Sequence, residues 1–133
     1  MLLVDAAGNP LAGEIASASR HEVKLVEPLL ANRTLQNRQP ERLIYDKAAD
    51  SDALRSRLGQ AGVELICPHK RNRIRPARQD GRKLRRYSRR WKVERTIAWL
   101  HNFRRLVVRW EYHAHLFRGF LQCACMFTIL RRF

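Results

Sequence analysis

Between Tyr87 and Glu111 the chain reads YSRRWKVERTIAWLHNFRRLVVRWE, and four of its residues carry side chains able to act at a phosphodiester. At about 100° per residue, Tyr87, Arg90, Glu94 and His101 fall within roughly 60° on one helical face. Val93, Ile97, Leu100 and Val107 form the neighbouring stripe, the one expected to meet a core, which sets Glu94 at the core's margin and not in open solvent. A carboxylate with an arginine one turn before it and a histidine two turns after it suits a site that holds a cation and touches phosphate at once. The same pattern also describes a solvated glutamate among arginines, and the spacing alone leaves both readings open.

A second carboxylate ends the short apolar run Arg42 to Tyr45, which reads as a central strand delivering Asp46 at its C-terminal end. Asp50 or Ser51 then caps a helix in which Leu54, Leu58 and Ala61 share a face, stopped by Gly62, and Val63 to Cys67 is the next strand. Upstream, Leu2 to Val4 and Leu11 to Ile15 flank the turn-rich Asp5-Ala-Ala-Gly-Asn-Pro10 and predict a β-hairpin, with Asp5 bonding its own backbone. Val23, Val26, Leu29 and Leu30 mark a helix from His21 to Leu30, capped by Ser19 with Glu22 at the capping-box spacing and disturbed by Pro28. The expected order is strand, strand, helix, strand, helix, strand, then long helices, all in one domain over residues 1–133.

The segment from Lys70 to Arg86 offers Lys70, Arg71, Arg73, Arg75, Arg78, Arg82, Lys83, Arg85 and Arg86 and almost nothing apolar. Such a loop is expected not to pack but to be solvated or bound to phosphate, with arginine favoured for forked contacts; Lys70, Arg71, Arg73 and Arg75 are its candidate DNA contacts. The whole chain of 133 residues sets 27 Lys and Arg against 12 Asp and Glu, a formal charge of +15 that calls for a polyanionic partner. Nucleic acid fits better than a membrane, because the apolar stretch Leu116 to Leu130 is interrupted by Arg118 and Gln122 and reads as a buried helix. The N-terminus lacks the basic start and long apolar run of a signal peptide, so a cytoplasmic protein is expected. Cys67, Cys123 and Cys125 are then read as reduced, buried thiols, since neither the C-x-C nor the H-x-H pair has a common zinc spacing.

The spacing of Tyr87, Arg90, Glu94 and His101 resembles the Y-R-E-K signature of bacterial insertion-sequence transposases of the DDE type, with His101 where that signature has lysine. RRWKVERTIAWLHNFRRLVVRWE and, upstream, LIYDKAADSDALR are similar to the family-four/five-like group. The resemblance implies an α/β, ribonuclease-H-like mixed sheet with flanking helices, in which three carboxylates hold two magnesium ions, or manganese. Paired divalent ions about 3.5 to 4 Å apart stabilise the attacking and leaving oxygens of an in-line displacement, and hard carboxylate oxygens suit magnesium. Carried over, Asp46 matches the second aspartate and Glu94 the glutamate. Arg90 and His101 would lie near the scissile phosphate, with Tyr87 stacking on a base or bonding a phosphate. The first aspartate belongs to a strand before the hairpin, Asp5 does not align with it, and Ala49 stands where the family usually has an aromatic residue. A partial or frameshift-dependent chain is therefore expected, acting on element ends and target DNA with an upstream-encoded segment or a second copy. The alternative is a basic nucleic-acid-binding module without catalysis.

Overall fold

The computed structural model describes residues 1–35, 37–79 and 81–132. In chain order its elements are β1 (Leu2–Val4), β2 (Pro10–Gly13), α1 (Val26–Ala31), β3 (Arg42–Ile44), α2 (Asp52–Gln60), β4 (Glu64–Ile66), α3 (Gly81–Leu84), α4 (Trp91–Leu100), α5 (Arg104–Val107) and α6 (Ala114–Leu130). Short 3-10 turns at Glu22–Leu25, Lys47–Ala49 and Arg85–Arg90 precede α1, α2 and α4. The expected order holds through β4; α3 then falls inside the segment expected to be a loop up to Arg86, and α3 and α5 are four residues each in place of the expected long helices. The chain divides into two compact units, one of Met1–Gln36 with Trp91–Phe133, the other Asn37–Arg90. Each holds one two-stranded sheet.

In the first unit β1 and β2 pair antiparallel, Leu2 with Gly13 and Leu3 with Ala12, with an irregularity before Val4. Their connection closes on Asp5, whose carboxylate accepts the Ala7 and Asn9 backbone N–H groups and the Asn9 side-chain amide, each at 2.8 Å. Burial pushes the Asp5 carboxyl up, but these hydrogen bonds outweigh it and leave it below its ordinary value. Asp5 therefore holds its own turn, as its position predicts.

The turn docks on α4 through its outward carbonyls. Lys92 donates to the Ala6 oxygen, Arg95 Nη2 to Ala7 at 2.9 Å, and the fully buried Thr96 hydroxyl approaches Gly8 O at 2.7 Å. Gly8 has φ +89, and a Cβ there would come within 3.0 Å of Arg95 Nη2 and 3.3 Å of Thr96 Oγ1. Gly8→Ala should therefore lower stability by about 2 kcal/mol, read as a shift of the denaturation midpoint; no shift would show that this turn is not seated on α4.

This docking corrects the expected core stripe. Thr96 and Leu100 are buried, Val93 is half-buried, and Ile97 and Val107 are exposed. The face of α4 that the fold covers meets carbonyl oxygens, so hydrogen-bond donors line it where an apolar count would place isoleucine. The helix start near Ser19 also differs. His21 precedes the 3-10 turn with no side-chain capping bond, the Ser19 hydroxyl meets Ser17 instead, and Pro28 falls in the first turn of α1, where it is tolerated.

The helix expected from Leu116 to Leu130 forms, but it is not buried: Ala124 and Thr128 are, whereas Leu116, Phe120, Met126, Phe127 and Leu130 are exposed. Guanidinium groups lie over rings of this region, Arg105 over Phe120 at 5.4 Å and Arg109 over Phe117 at 5.7 Å, so part of the chain's positive charge covers aromatic faces. Cys67 is buried and Cys125 half-buried, but Cys123 is exposed, which corrects the reading of three buried thiols. Burial pushes the Cys67 and Cys125 thiols up to about 11. No helix among the described residues is long and apolar enough to cross a membrane.

In the second unit β3 and β4 run parallel, Leu43 beside Leu65, with α2 as the crossover that a parallel pair requires. Ser51 caps α2 by accepting the Leu54 N–H at 3.4 Å, and Gly62, at φ +75, ends it. Leu43, Ala49, Leu54, Leu58, Val63, Leu65, Ile66 and Cys67 are the buried apolar residues of this unit.

Candidate functional site

Asp46 lies one residue beyond β3, after Tyr45, whose N–H still bonds Ile66 O at 3.0 Å; its backbone is extended at ψ 177, and its Oδ1 accepts the Ala48 N–H at 2.8 Å, capping the 3-10 turn Lys47–Ala49. The strand thus delivers a half-buried carboxylate at its C-terminal end, and the cap fixes one oxygen. Among the described residues β3 pairs with β4 alone, so its expected central place in a larger sheet is not what this unit displays. Ala49, the last residue of the turn, is fully buried.

The 3-10 segment Arg85–Arg90 packs against β3. Within it Arg90 Nη1 donates to the Tyr87 hydroxyl at 2.9 Å, with the guanidinium 5.9 Å from the ring centroid. Tyr87, Arg90 and Asp46 therefore share the second unit, with the first two on a segment that runs beside the strand bearing the third.

Glu94 and His101 belong to the first unit. Glu94 lies in the first turn of α4, about 200° around the helix from Thr96, and is exposed; His101 follows the end of α4, its N–H bonded to Ile97 O at 3.0 Å, and is exposed too. The expectation of one regular helix through all four residues is corrected here. The 3-10 segment has three residues per turn, α4 ends at Leu100, and the arithmetic that stacks Tyr87 over Glu94 does not carry through either break. The expected shelter of Glu94 is corrected with it, because the buried face of α4 is the one turned to the hairpin.

The basic segment departs furthest from expectation. Arg73 is not a solvated cation: its side chain is 11% exposed, with Nη1 on Asp50 Oδ1 at 3.1 Å and Nη2 on Asp52 Oδ1 at 2.8 Å. Its Nε also reaches the Arg75 carbonyl at 3.1 Å. Asp50, with a side chain 1% exposed, gathers the Lys70 N–H at 2.9 Å, Arg55 Nη2 at 3.2 Å and His69 Nδ1 at 3.0 Å as well. His69 Nε2 in turn accepts the Arg78 N–H at 3.2 Å, so a neutral ring with its proton on Nδ1 satisfies both contacts. Burial pushes the Asp50 carboxyl up, yet the Lys70 N–H, His69 and Arg55 overcome it and bring it down to about 2. A loop expected not to pack is thus pinned by two acids. Asp50 was legible only as a possible cap and Asp52 drew no reading, though they are the only acids between Asp46 and Glu64, ahead of a long basic run. Arg55, whose Nη1 also donates to Leu65 O at 2.9 Å, gave no sequence signal beyond lying on α2.

Around this hub Lys70, Arg71, Arg75 and Arg78 are exposed. Arg75 touches Asp52 at 3.3 Å and Arg78 at 3.7 Å, with side chains 75% and 59% exposed.

Residues 1–129 match the family model described as Transposase DDE domain. The chain belongs to the DDE transposase family. It is 35% identical over 131 residues to the "Putative transposase for insertion sequence element IS402" of Burkholderia cepacia. That match covers 93% of this DDE transposase chain and 58% of the relative, so the chain spans a little over half the length of the curated relative it matches. No solved structure matches it. DDE transposases act on DNA and in general use divalent metal ions. The donor chemistry of Asp46 and Glu94, hard carboxylate oxygens, fits such ions, while no group of three or more His, Cys, Asp or Glu is gathered for a metal among the described residues.

Proposed function

We propose that the chain serves an insertion-sequence transposase as part of a ribonuclease-H-like catalytic domain over residues 1–133, cutting and joining DNA strands with Asp46 and Glu94 as metal-binding carboxylates. The observation that carries this reading is Asp46 itself: a carboxylate at the C-terminal end of a parallel-paired strand, with one oxygen fixed by a cap and the Tyr87–Arg90 pair on the segment beside it. Asp46 and Glu94 would hold divalent ions, which when bound as a pair would supply charge stabilisation of the attacking and leaving oxygens. Arg90, buttressed by the Tyr87 hydroxyl, contacts DNA phosphate, and His101, after the end of α4, is a separate DNA contact. Lys70, Arg71 and Arg75 track the DNA backbone, whereas Arg73 shapes the loop that carries them. Element ends and target DNA are the partners, together with a second copy or an upstream-encoded transposase segment. Magnesium is the expected ion, with manganese able to replace it.

The test is strand cleavage of DNA carrying the element's ends with magnesium or manganese, by this chain and by a form extended upstream. Metal-dependent nicking by the extended form that falls to background in its Asp46→Asn and Glu94→Gln variants is expected, with weaker manganese binding by calorimetry in both. DNA binding with no cleavage and unchanged manganese binding would instead favour the non-catalytic module.

A further inference from the structure

Two acids hold the basic segment of the second unit, and they hold it differently. Asp50 is buried and grips Arg55, His69, the Lys70 N–H and one arm of Arg73. Asp52 grips the other arm of Arg73 at 2.8 Å, and on its outer side the exposed Arg75 Nη1 and Arg78 Nε reach it at 3.3 and 3.7 Å, leaving the Asp52 side chain 10% exposed. Among the described residues Arg55, Arg73, Arg75 and Arg78 bring four positive charges to these two carboxylates, a surplus that favours an added anion. The buried pairs are shielded from salt, whereas those of Arg75 and Arg78 are exposed and screenable.

We propose that Asp52 is an internal stand-in for a DNA phosphate: its outer contacts with Arg75 and Arg78 are exchanged for backbone phosphate when DNA binds, so that Asp52 limits the affinity of the basic segment. The idea rests on the DNA-binding reading above and adds to it a built-in competitor. A carboxylate offers two oxygens to a guanidinium fork as a phosphodiester does, but with the negative charge already part of the fold. Exchange leaves Arg73 in place, since Asp50 and the Arg75 carbonyl still hold it. The Asp50 side of the hub therefore keeps the loop folded while the Asp52 side opens.

The experiment is a double-mutant cycle on the full chain, using a random-sequence duplex and fluorescence anisotropy at low salt. Asp52→Asn is expected to tighten binding about fivefold, the size that loss of competing exposed ion pairs allows. In an Arg75→Ala/Arg78→Ala background the same change should do almost nothing, because the arginines through which Asp52 acts are gone. Glu41→Gln, an acid whose side chain is 84% exposed and which pairs with Arg42 at 3.6 Å, controls for the mere loss of a negative charge and should change affinity far less. Circular dichroism melts separate a folding defect from a binding effect. Weaker or unchanged binding in Asp52→Asn with an intact melt overturns the proposal, as does an equal gain in the arginine-free background. No measurable DNA binding by the wild-type chain would instead overturn the DNA-binding reading, and the exchange with it.

Discussion

Asp50→Ala is expected to unfold the unit of residues 37–90, at a cost of about 3–5 kcal/mol. The carboxylate is the common partner of two guanidinium groups whose side chains are 7% and 11% exposed, those of Arg55 and Arg73, and of a histidine. Removing it leaves the buried Arg55 with backbone carbonyl partners but no carboxylate and Arg73 with Asp52 as its remaining acid, which costs far more than the pairs themselves contribute. Denaturant titration followed by circular dichroism measures the loss, and Asp50→Asn, which keeps some hydrogen bonds, should fall between wild type and Ala. The pH dependence carries the same sign. The folded-state value of about 2 lies below the ordinary 3.8, so the carboxylate's contribution is complete above 3.8 and disappears as pH falls through about 2. About 2 kcal/mol of stability should be lost across that window in the wild type and absent from the slope of Asp50→Asn. An acid profile unchanged by the substitution would mean that Asp50 is not the hub.

The parts of this fold written in short-range chemistry could be read from the sequence. Asp5 closes its own turn, Ser51 caps α2 and Gly62 ends it, because each effect spans at most four residues. Asp46 was legible for the same reason, as the polar residue ending an apolar run. What was hidden depends on partners distant along the chain. Thr96 is buried because Gly8 O meets it from 88 residues away, and no apolar periodicity marks a threonine as core. Arg73 reads as one more cation in a basic run; only the placement of Asp50 and Asp52 at the mouth of α2 makes it a staple. The likeness of Tyr87, Arg90, Glu94 and His101 to a family signature pointed to the family even though the single helix imagined for them is broken at Arg90 and again after Leu100.

That distinction between a staple and free cations sets the last expectation, which concerns salt. Affinity for duplex DNA should fall about a thousandfold as salt rises from about 50 to about 200 mM, if roughly six phosphates are neutralised, since log K falls by about 0.9 per contact for each decade of salt. The exposed cations Lys70, Arg71, Arg75, Arg78, Arg85 and Arg86 could supply that many from the basic segment alone. Arg71→Ala and Arg75→Ala should each lower the slope by about one and weaken binding alike across sequences, the mark of phosphate contacts. Arg73→Ala should behave otherwise: its guanidinium is engaged by Asp50, Asp52 and the Arg75 carbonyl, so the melting temperature should drop before any clean change in slope appears. Anisotropy titrations over a salt series, paired with melts of the same preparations, tell the two kinds of arginine apart. A flat salt response would remove the electrostatic role of the whole segment. A slope reduced by one in a fully stable Arg73→Ala would make Arg73 a DNA contact after all, with its grip on Asp50 and Asp52 released on binding.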